Sequence, residues 1–296
     1  MKVPACTYLH PEDKAALENL KNIPMFSTCL KSFMKFLPEQ YLYGMNMAQK
    51  IRLGPEQLPN IYKLLPPVCK VLDIQEPEFY LEMNPMPNAY TYGDSKVFLT
   101  ITSGLLEHME EDELTAVLAH ECGHIACHHV LYHTMATMIL TFGAKALGPI
   151  AALSIPLQLA LLHWQRRSEL SADRAAAIYM KGSKSVAEML IRLAGGPKAI
   201  TEKVNLELYY KQAEAYSKLI EESEWNMLLQ GVAIMNQTHP FLSVRTKEIC
   251  DWCEGEQFKK IFEGMEKSEN AVICPDCGAE LSPKWKFCVS CGMKFE

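Results

Sequence analysis

The segment that most constrains this chain is HECGH at residues 120–124, an HExxH motif within a helix-forming stretch from about residue 110 to residue 132. Because an α-helix advances about 100° per residue, His120 and His124 lie one turn apart on one face and can point both rings at one metal ion. The apolar neighbours predict a buried helix, where unpaired polar side chains would be costly, so two surface histidines are the weaker alternative. The motif predicts a catalytic zinc site in which Glu121 takes a proton from water.

A third zinc ligand is expected from the stretch RRSELSADRAA at residues 166–176. Its composition is helical, and Glu169 and Asp173 stand at positions i and i+4, so that both carboxylates share one face. A metal-bound histidine usually donates its second N–H to a carboxylate, which suits Asp173. An isolated glutamate is more often a solvated helix charge, but the residues that follow Glu169 favour the ligand.

The zinc motif belongs to a set of four separated stretches. They are Pro87–Gly93 followed by 97–102 and 104–106, then 111–114 leading into HECGH, then Glu169–Ala176, and last Thr238–Arg245 with its His-Pro pair. Together they extend from about Asn84 to Ile249, over half of the chain. In this order they resemble the HtpX-like and CAAX-prenyl-protease type of gluzincin zinc metallopeptidases.

The resemblance implies roles for individual residues. His120, His124 and Glu169 would bind the catalytic zinc, Glu121 would be the general base and acid, Asp173 would orient a zinc histidine, and His239 would help to stabilise the oxyanion. A histidine before a proline in a loop is more often structural or on the surface. For His239 both interpretations therefore stay open.

Residues 97–102, VFLTIT, are β-branched and aromatic and predict a strand. In the family that the chain resembles, such a strand lies at the edge of the cleft. An extended peptide could then pair with its free backbone groups. An ordinary sheet strand is the alternative, and both interpretations can hold together.

A second zinc site is predicted at the C-terminus. Cys274 and Cys277 form one CxxC pair, Cys288 and Cys291 form another, and ten residues separate the pairs. Four thiolates at this spacing are typical of a structural zinc ribbon, whose folding is coupled to metal binding. Disulfides are the alternative. The ribbon is close to neutral in charge, so protein contact or positioning is a more plausible role than nucleic-acid binding, and its partner is unknown.

The remaining seven of the eleven cysteines are expected to be reduced thiols of a cytoplasmic protein, since the chain opens without a signal-peptide pattern. The seven cysteines expected to be reduced thiols are Cys6, Cys29, Cys69, Cys122, Cys127, Cys250 and Cys253. The net charge of −6 gives no reason to expect nucleic acid.

Residues 134–164 are nearly all apolar, but Lys145, Gly148, Pro149 and Pro156 interrupt them. A buried helical hairpin suits this segment better than a membrane span, with membrane association or partner docking as the alternative.

The expected fold is mainly α (α+β), a gluzincin zinc-metallopeptidase core with a small edge β-sheet and an HExxH helix, plus a small zinc ribbon. The expected parts are a helical scaffold at 1–83, the peptidase core at 84–253, a charged linker at 254–271 and the ribbon at 272–296. The expected function is that of a zinc metalloendopeptidase, a hydrolase of peptide or protein substrates with one catalytic and one structural Zn²⁺. The alternatives are a non-proteolytic zinc protein acting as adaptor or holdase, which would have no use for Glu121, and a zinc hydrolase of small amides.

Overall fold

The computed structural model describes residues 2–24, 26–36, 39–142, 154–221, 241–269, 272–273 and 280–281. Within these residues the fold is mostly helical with one four-stranded sheet, which confirms the expected α+β class. His239 and the four ribbon cysteines lie outside the described residues. Of the ribbon, strands β5 (Val272–Ile273) and β6 (Glu280–Leu281) are described, and they pair antiparallel.

The first third of the chain is largely helical, as expected, but it also contributes two strands to the sheet. Helix α1 begins where His10 caps it: the ring accepts a hydrogen bond from the Glu12 N–H, and Pro11 occupies the first helical position. The helices are α1 (Pro11–Lys21), α2 (Phe26–Phe36), α3 (Glu39–Gln49), α4 (Pro59–Tyr62) and α5 (Leu65–Leu72), after a 3₁₀ turn at Ala5–Thr7.

The sheet has the order β1-β2-β4-β3, with β1 at Ile51–Arg52, β2 at Glu78–Glu82, β3 at Ala89–Gly93 and β4 at Val97–Thr102. Strand β4 pairs parallel with β2 and antiparallel with β3, so the expectation that its backbone groups are free to pair with a substrate is wrong, and the alternative of an ordinary sheet strand is confirmed. The edge strand is β3. A tight turn joins β3 to β4, and only glycine fits at Gly93, because its φ is 123° and a Cβ atom there would lie 2.0 Å from the Lys96 carbonyl oxygen.

The motif helix packs closely against a long helix from the second half of the chain. After α6 (Ser103–His108) come α7 (Glu111–Ala126), α8 (Val130–Phe142) and α9 (Ser154–Tyr179). Glu110 and Glu113 form a capping box that starts α7. A Cβ atom on Gly123 would lie 2.7 Å from the Ala175 Cβ atom, so the glycine of the motif permits a close approach of α7 to α9.

The remaining described helices cover one side of α7 and α9. They are α10 (Lys184–Gly195), α11 (Lys198–Thr201), α12 (Leu206–Glu221), α13 (Leu242–Glu254) and α14 (Glu256–Glu269). Most of the stretch assigned to a linker is thus helix α14, whose Phe258 is buried against Trp252 with ring centroids 5.2 Å apart. Cys250 and Cys253 lie half-buried on α13 and carry free thiols.

The apolar segment at 134–164 contributes to a second hydrophobic cluster. The described parts of its two arms lie in α8 and α9, where Met135, Leu157, Leu161 and Trp164 are buried against α1 and α2. Residues 143–153, which would connect the two arms of the expected hairpin, lie outside the described residues. Across the described part of the chain, no helix combines the length and the apolar character that a membrane span requires.

Candidate metal centre

Three of the expected ligand atoms converge between α7 and α9. The His124 Nε2 atom lies 3.2 Å from the His120 Nε2 atom and 3.3 Å from the Glu169 Oε1 atom, and the His120 Nε2 atom lies 3.5 Å from the Glu169 Oε2 atom. All three side chains are buried. Ligand atoms in a tetrahedron about 2.0–2.1 Å from zinc are about 3.3 Å apart, so two imidazoles and one carboxylate with this spacing fit zinc.

Asp173 and Arg245 support this cluster from the side of α9 and α13. The His120 Nδ1 atom lies 2.9 Å from the Asp173 Oδ1 atom, and the Arg245 guanidinium donates to both Asp173 oxygens at 2.7 and 2.8 Å. The Arg245 Nη1 atom also lies 2.7 Å from the Glu169 Oε2 atom. Asp173, the expected partner of a zinc histidine, is therefore in contact with the candidate ligand His120, and one buried arginine pairs with both carboxylates.

The two histidines differ in their affinity for protons. Burial lowers the pKa of both rings, but at His120 the neighbouring carboxylates of Asp173 and Glu169 outweigh burial and raise the pKa to about 9. At His124 burial prevails, and its pKa lies below the ordinary value. A metal ligand must be deprotonated, so metal binding at His120 competes with a proton at neutral pH.

A cavity of about 570 Å³ opens beside the three ligands. Glu121, His124 and Glu169 line one end of it, so the expected base faces the same space as the ligands. Only 2% of the Glu121 surface is exposed. A water molecule or a substrate group at this wall of the cavity would therefore be close to both Glu121 and the candidate zinc ligands.

The edge strand β3 lines the same cavity. Asn88, Ala89, Tyr90, Thr91 and Tyr92 contribute to its wall, opposite residues of α3 and α8. The Thr102 N–H donates to the Asn88 carbonyl at 3.0 Å, whereas the Gly93 N–H donates away from β4 to the Thr134 hydroxyl at 3.0 Å. In an antiparallel pair these directions alternate, so the Thr91 backbone groups also point away from β4.

Residues without an assigned role in the sequence also lie at this centre. His129 and His133 follow α7 and, with His124, bring three ring nitrogens within 4.8 Å of one another. Asp13 reaches His129 from α1. The sequence offers a weak signal for the histidines, their closeness to HECGH, and none for Asp13, which is more than a hundred residues away.

Comparisons with known proteins agree on one family. Residues 57–253 match the model of peptidase family M48, and residues 273–295 match that of a zinc-ribbon domain. The plastoglobule-localized metallopeptidase 48, chloroplastic, of Arabidopsis thaliana is 32% identical over 261 residues, which cover 86% of this chain and 75% of that protein. A protease HtpX homolog of Pelotomaculum thermopropionicum is 25% identical over 240 residues, 70% of this chain and 80% of that protein. No solved structure matches significantly.

Proposed function

Because the chain belongs to peptidase family M48 and is a zinc metalloprotease, we propose that it hydrolyses internal peptide bonds with Glu121 as general base. The observation that carries this proposal is the placement of Glu121 in the wall of the cavity that His124 and Glu169 also line. His120, His124 and Glu169 are the residues that would hold zinc. When bound, zinc lowers the pKa of a coordinated water and polarises a carbonyl oxygen.

The residues of the chain then have distinct tasks. Glu121 takes the proton of the attacking water and passes it to the leaving amine, which requires one carboxylate to act first as base and then as acid. Asp173 accepts from the His120 Nδ1–H and so keeps the Nε2 lone pair directed into the ligand cluster. Arg245 holds the carboxylates of Asp173 and Glu169 in place. His239 remains the candidate for stabilising the oxyanion.

The substrate is proposed to bind as an extended peptide along β3. This strand is the sheet edge that lines the cavity, and the outward backbone groups of Thr91 offer an N–H and a C=O to a partner strand. Pairing through the backbone supplies affinity without demanding one side-chain sequence. A cleft of this shape suits peptides better than small amides.

The C-terminal module is proposed to bind a second zinc ion. Cys274, Cys277, Cys288 and Cys291 lie within the stretch that matches a zinc-ribbon domain, and four thiolates complete a closed tetrahedral site. Such a site has no open position for water. Its role is therefore structural, and hydrolysis belongs to the site between α7 and α9.

Replacement of Glu121 by Gln tests the proposed mechanism. The amide cannot accept the proton of water, so hydrolysis of a quenched fluorescent peptide should fall by about two to four orders of magnitude, while zinc content stays at about two per chain. The matched control is Glu113→Gln, which changes a buried carboxylate of the same helix that pairs with Arg192 at 2.9 Å. The control should retain activity while it is folded. Wild-type turnover in Glu121→Gln would contradict the mechanism.

Replacement of Thr91 by Pro tests the binding mode. Proline removes one outward N–H and is tolerated on an edge strand, so kcat/KM for an extended peptide should fall about 2- to 10-fold through the loss of one hydrogen bond. Thr91→Val keeps the N–H and is the control. An unchanged kcat/KM in the proline variant would show that substrates do not pair with β3.

A further inference from the structure

The second zinc histidine has its own support, which comes from the N-terminal helix. The His124 Nδ1 atom lies 3.1 Å from the His129 Nδ1 atom, and the His129 Nε2 atom lies 2.9 Å from the Asp13 Oδ2 atom. The three side chains form a continuous chain of contacts, His124–His129–Asp13, that leads away from the ligand cluster. Each of the three is at most 3% exposed.

A turn after α7 brings His129 back onto His124. The His129 N–H donates to the His124 carbonyl at 2.9 Å, the His128 N–H donates to the Ile125 carbonyl at 3.0 Å, and His128 has a φ of 60°. This is the hydrogen-bond pattern of a Schellman motif, with the residue after the helix in the left-handed region. The position of His129 is thus set by the way the motif helix ends.

Asp13 is held by groups that only donate to it. The Trp164 Nε1–H donates to Oδ1 at 2.9 Å, and the Ser171 hydroxyl donates to Oδ2 at 2.6 Å. Burial alone would raise the pKa of the Asp13 carboxyl, but the contacts with His129, Ser171 and Trp164 outweigh it and keep the pKa below its ordinary value. Asp13 is therefore an ionised acceptor near neutral pH.

The direction of the protons follows from this acceptor. A carboxylate only accepts, so the proton between His129 and Asp13 lies on the His129 Nε2 atom. The neutral tautomer of His129 that carries this proton presents a lone pair at Nδ1. The proton between the two rings must lie on the His124 Nδ1 atom, and the His124 Nε2 lone pair faces His120 and Glu169.

We propose that Asp13 and His129 are positioning residues that hold His124 in the tautomer that binds zinc through Nε2. The proposal rests on the proposed function, in which His124 is a zinc ligand. It adds a helix outside the peptidase motifs to the machinery of the site. His129 and Asp13 do not touch the reacting atoms, and they act through His124.

A second metal site at His124, His129 and His133 is the competing interpretation of the same residues, since their ring nitrogens lie close together. The contacts favour the positioning role of the chain His124–His129–Asp13, which is called the relay below. The His124 Nε2 atom already belongs to the first ligand cluster, the His129 Nε2 atom faces Asp13, and the His133 Nε2 atom lies 2.8 Å from the Ser168 hydroxyl. A metal ion held by the Nδ1 atoms of His124 and His129 would also make His124 a ligand of two ions through its two ring nitrogens, which requires the loss of both ring protons.

The test compares zinc affinity in full-length variants by competition with a chelator. Asp13→Asn leaves an amide that cannot accept from Trp164 and His129 at once, and His129→Phe removes the ring acceptor while keeping the bulk. Each should weaken zinc binding at the catalytic site about 10- to 100-fold. His129→Gln can accept from His124 and donate to Asp13, so it should recover part of the affinity. Glu113→Gln is the control and should leave the affinity unchanged.

If the variants fail to fold, a measurement on the wild-type protein still tests the proposal. Long-range ¹H–¹⁵N NMR of the histidine rings in the zinc-loaded protein should find His124 protonated at Nδ1 and His129 at Nε2. The opposite tautomer of His129, or wild-type zinc affinity in folded Asp13→Asn and His129→Phe, would overturn the relay. Loss of an additional metal ion in His129→Phe alone would overturn it in favour of a second site.

The same measurements separate failure of the relay from failure of the proposed function. If His124 does not bind zinc, His124→Ala retains the full metal content of the wild type. If the relay alone is wrong, His124→Ala loses the catalytic zinc, whereas Asp13→Asn keeps it with unchanged affinity.

Discussion

The two histidines of the HExxH motif are supported in opposite ways. His120 contacts a carboxylate directly, and that carboxylate is balanced by a buried guanidinium, in the order His120–Asp173–Arg245. On its Nδ1 side, His124 contacts the His129 ring and reaches the Asp13 carboxylate only through that ring. Burial lowers the pKa of both rings, but at His120 the carboxylates of Asp173 and Glu169 outweigh burial and raise the pKa to about 9, whereas at His124 burial outweighs Glu169 and the pKa is lowered. One support therefore places a carboxylate directly beside its histidine, and the other places a second imidazole ring between the histidine and the carboxylate.

The two supports also differ in how they are built. Asp173 stands one turn after the candidate ligand Glu169 on the same helix, and Arg245 on α13 pairs with both carboxylates. Asp13 comes from α1 and depends on Trp164 and Ser171 of α9 to hold it. In the first support, the Arg245 guanidinium holds two buried carboxylates. Removal of this cation should therefore cause the largest loss of stability.

Arg245→Met should have the largest effect. It leaves the carboxylates of Asp173 and Glu169 buried without their cation, which costs about 3–5 kcal/mol in the free energy of unfolding of the metal-free protein. Denaturant titration measures this loss. The control Arg192→Met breaks the buried pair with Glu113 and should lose comparable stability, but only Arg245→Met should also weaken zinc binding. Equal zinc affinities in the two variants would show that Arg245 does not support the metal site.

Asp173→Asn should weaken zinc binding about 10- to 100-fold, by the loss of the acceptor for His120. The two supports share no residue, so the double variant with Asp13→Asn should show the product of the two single effects. Chelator competition on the four proteins of this cycle gives the coupling directly. A double variant no weaker than Asp173→Asn would mean that the two supports act as one unit.

Ser171→Ala should have the smallest effect. It removes one donor to Asp13 but leaves the carboxylate and its contact with His129, so it should cost about 0.5–1.5 kcal/mol of stability. The zinc affinity should change less than in Asp13→Asn. Thermal unfolding and the same chelator competition measure both quantities. A loss of zinc affinity as large as that of Asp13→Asn would show that the Ser171 hydroxyl is as important as the Asp13 carboxylate for positioning His129 and His124.

The resemblance to a zinc metallopeptidase family is confirmed, and it rests on local patterns. His120 and His124, and likewise Glu169 and Asp173, are four residues apart, a spacing that a helix places on one face whatever surrounds it. The edge strand was missed for a physical reason. Strand β4 is buried on both faces, as is typical of a central strand, whereas the half-buried β3 has the character of an edge.

From helical spacing and ligand chemistry, the sequence alone predicted the zinc motif, Glu169 as a candidate third ligand, Asp173 as the partner of one zinc histidine and the two-CxxC ribbon pattern. Only the tertiary structure decided which strand borders the cavity and that Asp13 lies behind His124. The reason is that side-chain contacts depend on distance in space, and residues as far apart in sequence as Asp13 and His129 meet only because α1 packs on α9. No local pattern carries that information.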